Sequence, residues 1–285
     1  MKRKLISESN IMICGIVRDC EKTILNDLNK LDEATKNFKN KIYYIVESDS
    51  KDNTIHKLEN CKSQFDNFNY ISLGTLKKRF ESRTERLAYC RNMYLNYLDN
   101  FNETNIDYVI VSDLDDMNRL LNIEAIESCW NTEIDWDVIT ANQLYKYYDI
   151  YALRHKYLNP FNQTEALSLM ENFFEKKELI KFFIENKFFS ISAKSKLIKV
   201  DSAFGGLAIY KKQTLENVRY HGIRNNYDVC EHVELNLQIV KNNYKIYINP
   251  KLINTDYTLH TPRISILRYF IGFNIMQKIK KYFKL

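Results

Sequence analysis

The sequence predicts an α/β fold with a mostly parallel central sheet, flanked by helices and followed by a C-terminal amphipathic helix. Short apolar segments, polar loops and helix-like segments alternate through the first 120 residues, which is the rhythm of parallel strands joined by crossover helices. One apolar segment, residues 107–116, reads as a buried strand that ends in three carboxylates within four residues. The 285 residues include only 6 Gly and 3 Pro, which argues against long disordered linkers.

The first half of the chain contains the clearest alternation. The pattern predicts strands at residues 11–17, 41–46 and 68–73, a helix that ends near residue 31, and a helix over residues 82–98. The second strand runs into a loop rich in turn and cap residues, 47–54. The helix over 82–98 carries Arg83, Arg86 and Arg91, which either form a solvated basic face or reach a diphosphate with their guanidinium groups.

The second half contains fewer readable elements. A short strand is predicted at 137–142, and the aromatic residues of 145–154 either pack in the core or stack on a ligand ring. Residues 160–200 are rich in Phe and Lys, are predicted to be helical and carry no readable motif. The pair Gly205-Gly206 allows either a turn or a close approach of backbone. A helix with acidic residues in its first turn is predicted from residue 228, and a late strand at 244–250.

Composition and charge exclude several classes of protein. Lys and Arg exceed Asp and Glu by 6, a mild basic excess that suits anionic ligands, and no nucleic-acid motif accompanies it. The six cysteines form no C-x-x-C pair, so neither a zinc site nor a disulfide framework is predicted. Neither a signal-peptide core nor a bilayer-spanning apolar run is present, and we therefore expect a cytoplasmic protein.

The end of the chain differs in composition from the rest. Residues 264–285 mix apolar with basic residues, as in an amphipathic helix that either lies on an anionic membrane surface or packs on the domain. We therefore predict one large domain over 1–263 and a basic helix over 264–285. The large domain is predicted to divide into two halves, over about 11–120 and over about 121–263.

Three carboxylates follow the apolar strand in the segment D-L-D-D, at Asp113, Asp115 and Asp116. Carboxylate oxygens suit the hard cations Mg²⁺ and Mn²⁺, and Mg²⁺ is usually shared between one or two carboxylates and substrate phosphates. Ligands also bind at the carboxyl ends of strands in open α/β sheets. The other interpretation is a plain acidic loop, because short motifs often arise by chance.

Taken in order, the motifs resemble the nucleotide-sugar-dependent glycosyltransferases of GT-A fold, and family two most closely. The matching segments are the polar turn I-V-R-D-C-E at 16–21, the acidic loop at 47–54, Arg91-Asn92, the D-L-D-D segment, and Cys230-Glu231-His232 before a short strand. Segments 147–154 and 204–210 resemble, more weakly, the capsule-associated mannosyltransferase-like group. The resemblance covers about residues 11–260 with a gap at 155–200. It departs from the family at His232, where Asp is usual, and in a first turn without proline.

The resemblance implies that the half over about 11–120 binds the nucleotide and that the half over about 121–263 binds the acceptor. It also implies roles for particular residues. The donor, a UDP- or GDP-linked sugar, is expected to contact Arg18, Glu47, Asp49, Arg83, Arg91 and Asp113. The metal, Mn²⁺ or Mg²⁺, is expected on Asp113, Asp115 and His260. Glu231 is the expected catalytic base, with Asp228 and Glu234 as substitutes, and the acceptor or sugar is expected near Gly205, Gly206 and Asp228. The acceptor is expected to be a glycan or a lipid-linked molecule in surface polysaccharide or glycoconjugate synthesis.

Two other functions remain open at the level of sequence. A nucleotidyltransferase acting on sugar phosphates would also use a metal and carboxylates, but it normally has a Gly-rich loop after the first strand, where residues 14–18 contain one Gly. A catalytically inactive binding protein on a transferase fold is the non-enzymatic alternative, against which the intact pair Asp113 and Asp115 argues. Inversion and retention of the anomeric centre are both open.

Overall fold

A computed structural model describes residues 3–256. His260 and the predicted helix at 264–285 lie outside the described residues. The strands are β1 Asn10–Val17, β2 Asn40–Glu47, β3 Phe68–Ser72, β4 Tyr108–Ser112, β5 Val138–Gln143, β6 Ile198–Val200, β7 Leu207–Lys211, β8 Ile223–Arg224, β9 Tyr227–Asp228 and β10 Ile246–Thr255. The helices are α1 Ile24–Ala34, α2 Thr54–Cys61, α3 Arg83–Asn100, α4 Ile123–Glu127, α5 Gln163–Met170, α6 Lys176–Phe183 and α7 Glu231–Lys241.

Eight of these strands form one mixed sheet in the order β3-β2-β1-β4-β7-β5-β10-β6. Neighbours among β1 to β4 are parallel, as are β5 and β10, which confirms the mostly parallel sheet expected from the sequence. Strand β7 runs antiparallel between β4 and β5, and Leu207 pairs with Ser112. Because β7 is antiparallel, its N-terminal end lies beside the C-terminal end of β4, which brings Gly205-Gly206 next to the D-L-D-D segment.

The core has one layer on each face of the sheet, and the strands alternate between them. In β1, Met12 and Cys14 pack in the layer that contains α3, whereas Ile11 and Ile13 pack in the layer that contains α1 and α2. This alternation follows from the period of two in an extended strand. None of the helices within residues 3–256 is long and apolar enough to cross a membrane.

Three secondary-structure predictions differ from the structure. Residues 188–200, predicted to be helical with the rest of 160–200, are irregular and end in strand β6. The predicted strand at 244–250 continues beyond Pro250 to Thr255, because its pairing with β5 shifts register between Ile248 and Ile253 and so tolerates the missing N–H of proline. The predicted helix from residue 228 begins only at Glu231. Asp228 belongs instead to the hairpin β8–β9, whose turn residues Asn225 and Asn226 have φ values of 50° and 65°.

Candidate active site

The D-L-D-D segment leaves β4 and is held in place by a buried carboxylate of α1. The two oxygens of Asp27 accept hydrogen bonds from the backbone N–H groups of Asp116 at 2.7 Å and Asn118 at 3.0 Å. The amide of Asn118 in turn donates to the backbone carbonyl of Asp113 at 2.9 Å. Asp116 has a φ of 73°, so the chain turns sharply there and these hydrogen bonds stabilise the turn. Asp27 and Asn118 therefore fix the backbone on which Asp113 and Asp115 stand.

The two glycines at the start of β7 support the same loop from the other side. The carbonyl of Gly206 accepts a hydrogen bond from the N–H of Asp113 at 2.9 Å. Gly205 has a φ of 68°, and a Cβ at this position would lie 2.6 Å from the carbonyl oxygen of Ala141. Only glycine fits such a close approach without strain. The glycine pair thus makes the close backbone approach that its sequence allowed, with neighbouring strands as partners.

Arg91 contacts both Asp113, the predicted metal ligand, and Glu231, the predicted catalytic base. It is 4% exposed, its Nε donates to Oε1 of Glu231 at 2.9 Å, and its Nη2 lies 3.3 Å from Oδ1 of Asp113. Its guanidinium also lies over the ring of Phe204. A planar guanidinium can contact two carboxylates at once in fixed geometry. The structure therefore brings together three predicted residues that are far apart in sequence, and it engages Arg91 with protein carboxylates.

The carboxylates near Arg91 repel one another. Burial, together with the charges of Asp115 and Glu231, raises the pKa of Asp113 to about 7 against the opposing effect of Arg91. Partial removal from water and the charge of Asp27 raise the pKa of Asp115 to about 6, although Asp115 is exposed. A divalent cation would relieve this repulsion, and hard oxygen donors suit Mg²⁺ or Mn²⁺. Within residues 3–256, no three His, Cys, Asp or Glu side chains are grouped to hold a metal by themselves.

His232 follows Glu231, at the position where the family-two glycosyltransferases that the sequence resembles usually have a second acid. Its ring stacks on Phe204 with 3.7 Å between centroids, and neither ring nitrogen has a hydrogen-bond partner among the described residues. Burial and the charge of Arg91 hold the pKa of His232 well below its usual range, so the ring is neutral. A further acid nearby is Asp149, whose Oδ2 accepts a hydrogen bond from the N–H of Gly205 at 2.9 Å. Burial raises its pKa to about 6, and so do the charges of Asp113 and Glu231, which places Asp149 in the same cluster.

The predicted nucleotide-side residues lie on two loops that are tied together. The loop after β1 and the loop after β2 share backbone-to-side-chain hydrogen bonds, from the N–H of Lys51 to Asp19 and from the N–H of Cys20 to Thr54, both at 2.7 Å. Glu47 is buried and accepts hydrogen bonds from the N–H of Ser50 and from the hydroxyl of Ser72. Glu47 therefore shapes its own loop.

The other three predicted donor residues are more open to solvent. Asp49 has a φ of 61° and accepts a hydrogen bond from the N–H of Lys77 at 3.0 Å. Arg18 is exposed beside Asp19, at 3.6 Å. Arg83 is exposed at the start of α3, close enough for its charge to lower the pKa of Asp115. Arg83 is thus the predicted arginine that faces the D-L-D-D segment from the solvent side.

The two substitutes for Glu231 are engaged elsewhere. Asp228 accepts hydrogen bonds from the hydroxyls of Ser82 at 2.6 Å and Thr84 at 3.2 Å, which ties the hairpin to the start of α3. Glu234 forms an ion pair with Arg224 at 3.4 Å. Glu231 is the acid at the start of α7 that contacts Arg91.

Sequence reasoning missed three residues of this site, namely Asp27, Asn118 and Asp149. Asp27 had a detectable signal, because it lies on the apolar stripe of α1 between Ile24 and Leu31, where a carboxylate needs partners. Asn118 and Asp149 had none, since the partners that bring them into the site, Asp27 for Asn118 and Gly205 for Asp149, are distant in sequence.

Comparisons with known proteins identify the family and the fold. A family model described as cryptococcal mannosyltransferase 1 matches residues 10–239. The mannosyltransferase PcManGT from Pyrobaculum calidifontis, in complex with GDP-Man and Mn²⁺, is similar with a TM-score of 0.51 and 10% identity, over 90% of this chain and 58% of that chain. S. aureus TarS 1–349 with UDP-GlcNAc is similar with a TM-score of 0.49 and 13% identity, over 87% and 59%. Among curated proteins, none matches in sequence.

These findings confirm the GT-A fold, which the likeness to PcManGT shows. They also show which of the two resemblances noted in the sequence leads to the family of this chain. The weaker one, to the capsule-associated mannosyltransferase-like group, is the one that the family model matches. The chain spans less than three fifths of the length of the two solved chains above.

Proposed function

Because the chain belongs to the cryptococcal mannosyltransferase 1 family, we propose that it is a metal-dependent glycosyltransferase that moves a sugar from a nucleoside-diphosphate sugar to a glycan or lipid-linked acceptor. One observation carries the proposal: Arg91 contacts Asp113 on one side and Glu231 on the other. The guanidinium of Arg91 therefore holds the proposed metal ligand and the proposed general base in fixed positions relative to each other. We expect the pathway to be surface polysaccharide or glycoconjugate synthesis.

Asp113 and Asp115 would hold the metal, and the donor diphosphate would supply further oxygens. When bound, the ion stabilises the charge of the leaving diphosphate as a Lewis acid. His260 remains a candidate ligand. Arg119 pairs with Asp116 at 2.6 Å and with Asp256 at 2.8 Å, so the end of β10 lies beside the D-L-D-D segment.

The donor that we favour is a GDP-linked mannose, and a UDP-linked sugar is the alternative. The family is named for a mannosyltransferase, and PcManGT was solved with GDP-Man and Mn²⁺. Arg83 would contact the diphosphate, since it is exposed and faces Asp115. Arg18 and Asp49 would contact the nucleoside, and Glu47 would support the loop around it.

Glu231 would act as general base if transfer inverts the anomeric centre. Arg91 holds its Oε1 at 2.9 Å and fixes the direction of the carboxylate. A base must lie within hydrogen-bond reach of the acceptor hydroxyl. Retention would not need this base, and both outcomes stay open.

We place the acceptor in a cavity of about 250 Å³ beside the first turns of α7. Its polar wall includes Arg154, Arg224, Glu165, Glu234, Asn225 and Tyr227. The arginines and glutamates balance in charge, and an aliphatic floor of Val233 and Leu237 lies beneath. Paired donors and acceptors beside one aromatic ring suit an uncharged sugar, which offers hydroxyls on its rim and C–H groups on its face.

The donor is tested by thermal unfolding with Mn²⁺ and a panel of GDP, UDP, CDP and CMP, extended by the nucleoside triphosphates GTP and UTP and by mannose 1-phosphate. A ligand that binds only the folded state stabilises it by about 2.7 kcal/mol at one hundred times its Kd. We expect a clear rise in Tm with GDP plus Mn²⁺, and a much smaller one with either alone. A rise only with nucleoside triphosphates and sugar phosphates would support the nucleotidyltransferase instead. No rise with any nucleotide would refute the transferase proposal.

The acceptor cavity is tested with Tyr227→Ala and a panel of methyl glycosides. Loss of the ring should raise the acceptor KM about tenfold, corresponding to about 1.4 kcal/mol of lost contact. Hydrolysis of the donor without acceptor, and the rise in Tm with nucleotide, should not change. Tyr70→Ala, at the far edge of the sheet, is the matched control. An acceptor KM equal to that of wild type would exclude the cavity.

A further inference from the structure

Helices α5 and α6 form a hairpin whose turn exposes two neighbouring phenylalanines. Phe173 is 76% exposed and Phe174 is 52% exposed, and every residue from 171 to 178 is exposed. Leu169, on the last turn of α5, is also exposed. Phenylalanine is normally among the most buried residues, so two exposed rings in succession at the tip of a hairpin indicate a surface with a partner.

The exposed apolar side chains concentrate in this part of the molecule. Of the twelve large apolar side chains exposed within residues 3–256, eight lie between 151 and 182. We call the surface that contains Tyr157, Phe161, Leu169, Phe173, Phe174 and Phe182 the aromatic platform. Single exposed apolar residues are ordinary on protein surfaces, whereas such a concentration marks an interaction site.

The base of the hairpin is anchored, which directs the tip away from the domain. Leu179 and Ile184 are buried, and Phe183 packs against the core and contacts Phe161 edge to face, with 6.0 Å between ring centroids. Within α5 and α6 only Gln163 and Leu179 are buried, so few side chains hold the hairpin on the domain and its tip stays exposed.

The excess of basic residues around the aromatic platform favours an anionic partner. Residues 151–200 contain nine basic and five acidic residues, and Lys176, Lys177 and Lys181 lie within seven positions after Phe174, alternating with Glu175 and Glu178. Aromatic rings with adjacent lysines match a bilayer interface, where rings enter the headgroup region and ammonium groups meet anionic lipids. We propose that the aromatic platform docks on the surface of an anionic lipid bilayer.

The position of α5 fits this partner. Its first turn supplies Glu165 to the cavity described above, and its last turn carries Leu169 on the platform. At 1.5 Å per residue the two lie about 6 Å apart along the helix axis. An acceptor embedded in a bilayer would therefore present its sugar next to the cavity. The docking itself uses residues outside the catalytic cluster and does not depend on the proposed transfer.

The test is flotation of the full chain with vesicles of phosphatidylcholine and phosphatidylglycerol at 7:3, and with vesicles of phosphatidylcholine alone. Wild type should bind the anionic vesicles, and the double variant Phe173→Ser, Phe174→Ser should lower the partition coefficient at least tenfold. Lys176→Gln with Lys177→Gln should weaken binding to anionic vesicles only. The matched control is Leu5→Ser with Ile55→Ser, which removes two exposed apolar residues outside the platform and should leave binding unchanged.

Three results would overturn the proposal. In the first, wild type binds neither kind of vesicle. In the second, the double Phe variant binds as wild type does, and binding is then assigned to another segment such as 257–285. Sedimentation could also detect a dimer that the Phe variant abolishes, which would assign the platform to a second copy. Circular dichroism should give equal Tm values for wild type and all three double variants, because the changed side chains are exposed. Vesicle binding needs no nucleotide, so failure here is distinct from failure of the transferase proposal.

Discussion

Asp115→Asn is expected to lower kcat/KM for sugar transfer by about 10³-fold or more. A carboxylate that holds the metal contributes several kcal/mol of transition-state stabilisation, and each factor of ten corresponds to 1.36 kcal/mol. The amide keeps the size of the side chain and one oxygen, but it removes the negative charge that attracts the cation. The variant should also lose the rise in Tm with GDP plus Mn²⁺. Initial rates with GDP-mannose at a series of Mn²⁺ concentrations measure the first effect, and thermal unfolding with GDP and Mn²⁺ measures the second.

The fold should survive this change. Asp115 is exposed, and the charges of Asp27 and Asp116 oppose its ionisation, so removal of its charge relieves repulsion. The Tm without ligands should therefore equal or exceed that of wild type. Asp66→Asn, at an exposed acid in the loop between α2 and β3, is the matched control and should keep full activity. Transfer at the wild-type rate by the Asp115 variant would remove it from the metal site.

Glu231→Gln is expected to lower kcat by about 10²–10⁴-fold, the usual contribution of a general base. The amide oxygen can still accept the hydrogen bond from Nε of Arg91, so the geometry of the site should persist. The KM for the donor and the nucleotide-dependent rise in Tm should change little, because the base acts on the acceptor hydroxyl. Single-turnover rates with saturating donor and acceptor isolate this step.

A second glutamate variant controls for the loss of charge alone. Glu216→Gln changes an exposed acid that pairs with Lys212 at 3.8 Å, away from the cluster, and should leave kcat unchanged. If Glu231→Gln also keeps the wild-type kcat, Glu231 is not the base. A retaining reaction, or a role for Asp149, would then be the next hypothesis.

The architecture was largely predictable from local patterns. The period of two in β1 and β4 and the helical spacing in α1 and α3 follow from which side chains face the core, and this information lies within each segment. The position of Asp113 and Asp115 at the end of a buried strand was predictable for the same reason. The start of α7 was not, because Asp228 satisfies its hydrogen bonds with Ser82 and Thr84, about 145 positions away.

The sequence by itself therefore determined the α/β class, most of the strands and helices, and three of the acidic residues that lie together, Asp113, Asp115 and Glu231. The tertiary structure alone decided which groups they contact. It paired Arg91 with Glu231 and brought Asp27 and Asp149 to the site. It also showed that Glu47 stabilises its own loop. The reason is physical: helices and strands depend on neighbours a few residues away, whereas buried charges must find partners wherever the sheet order brings them.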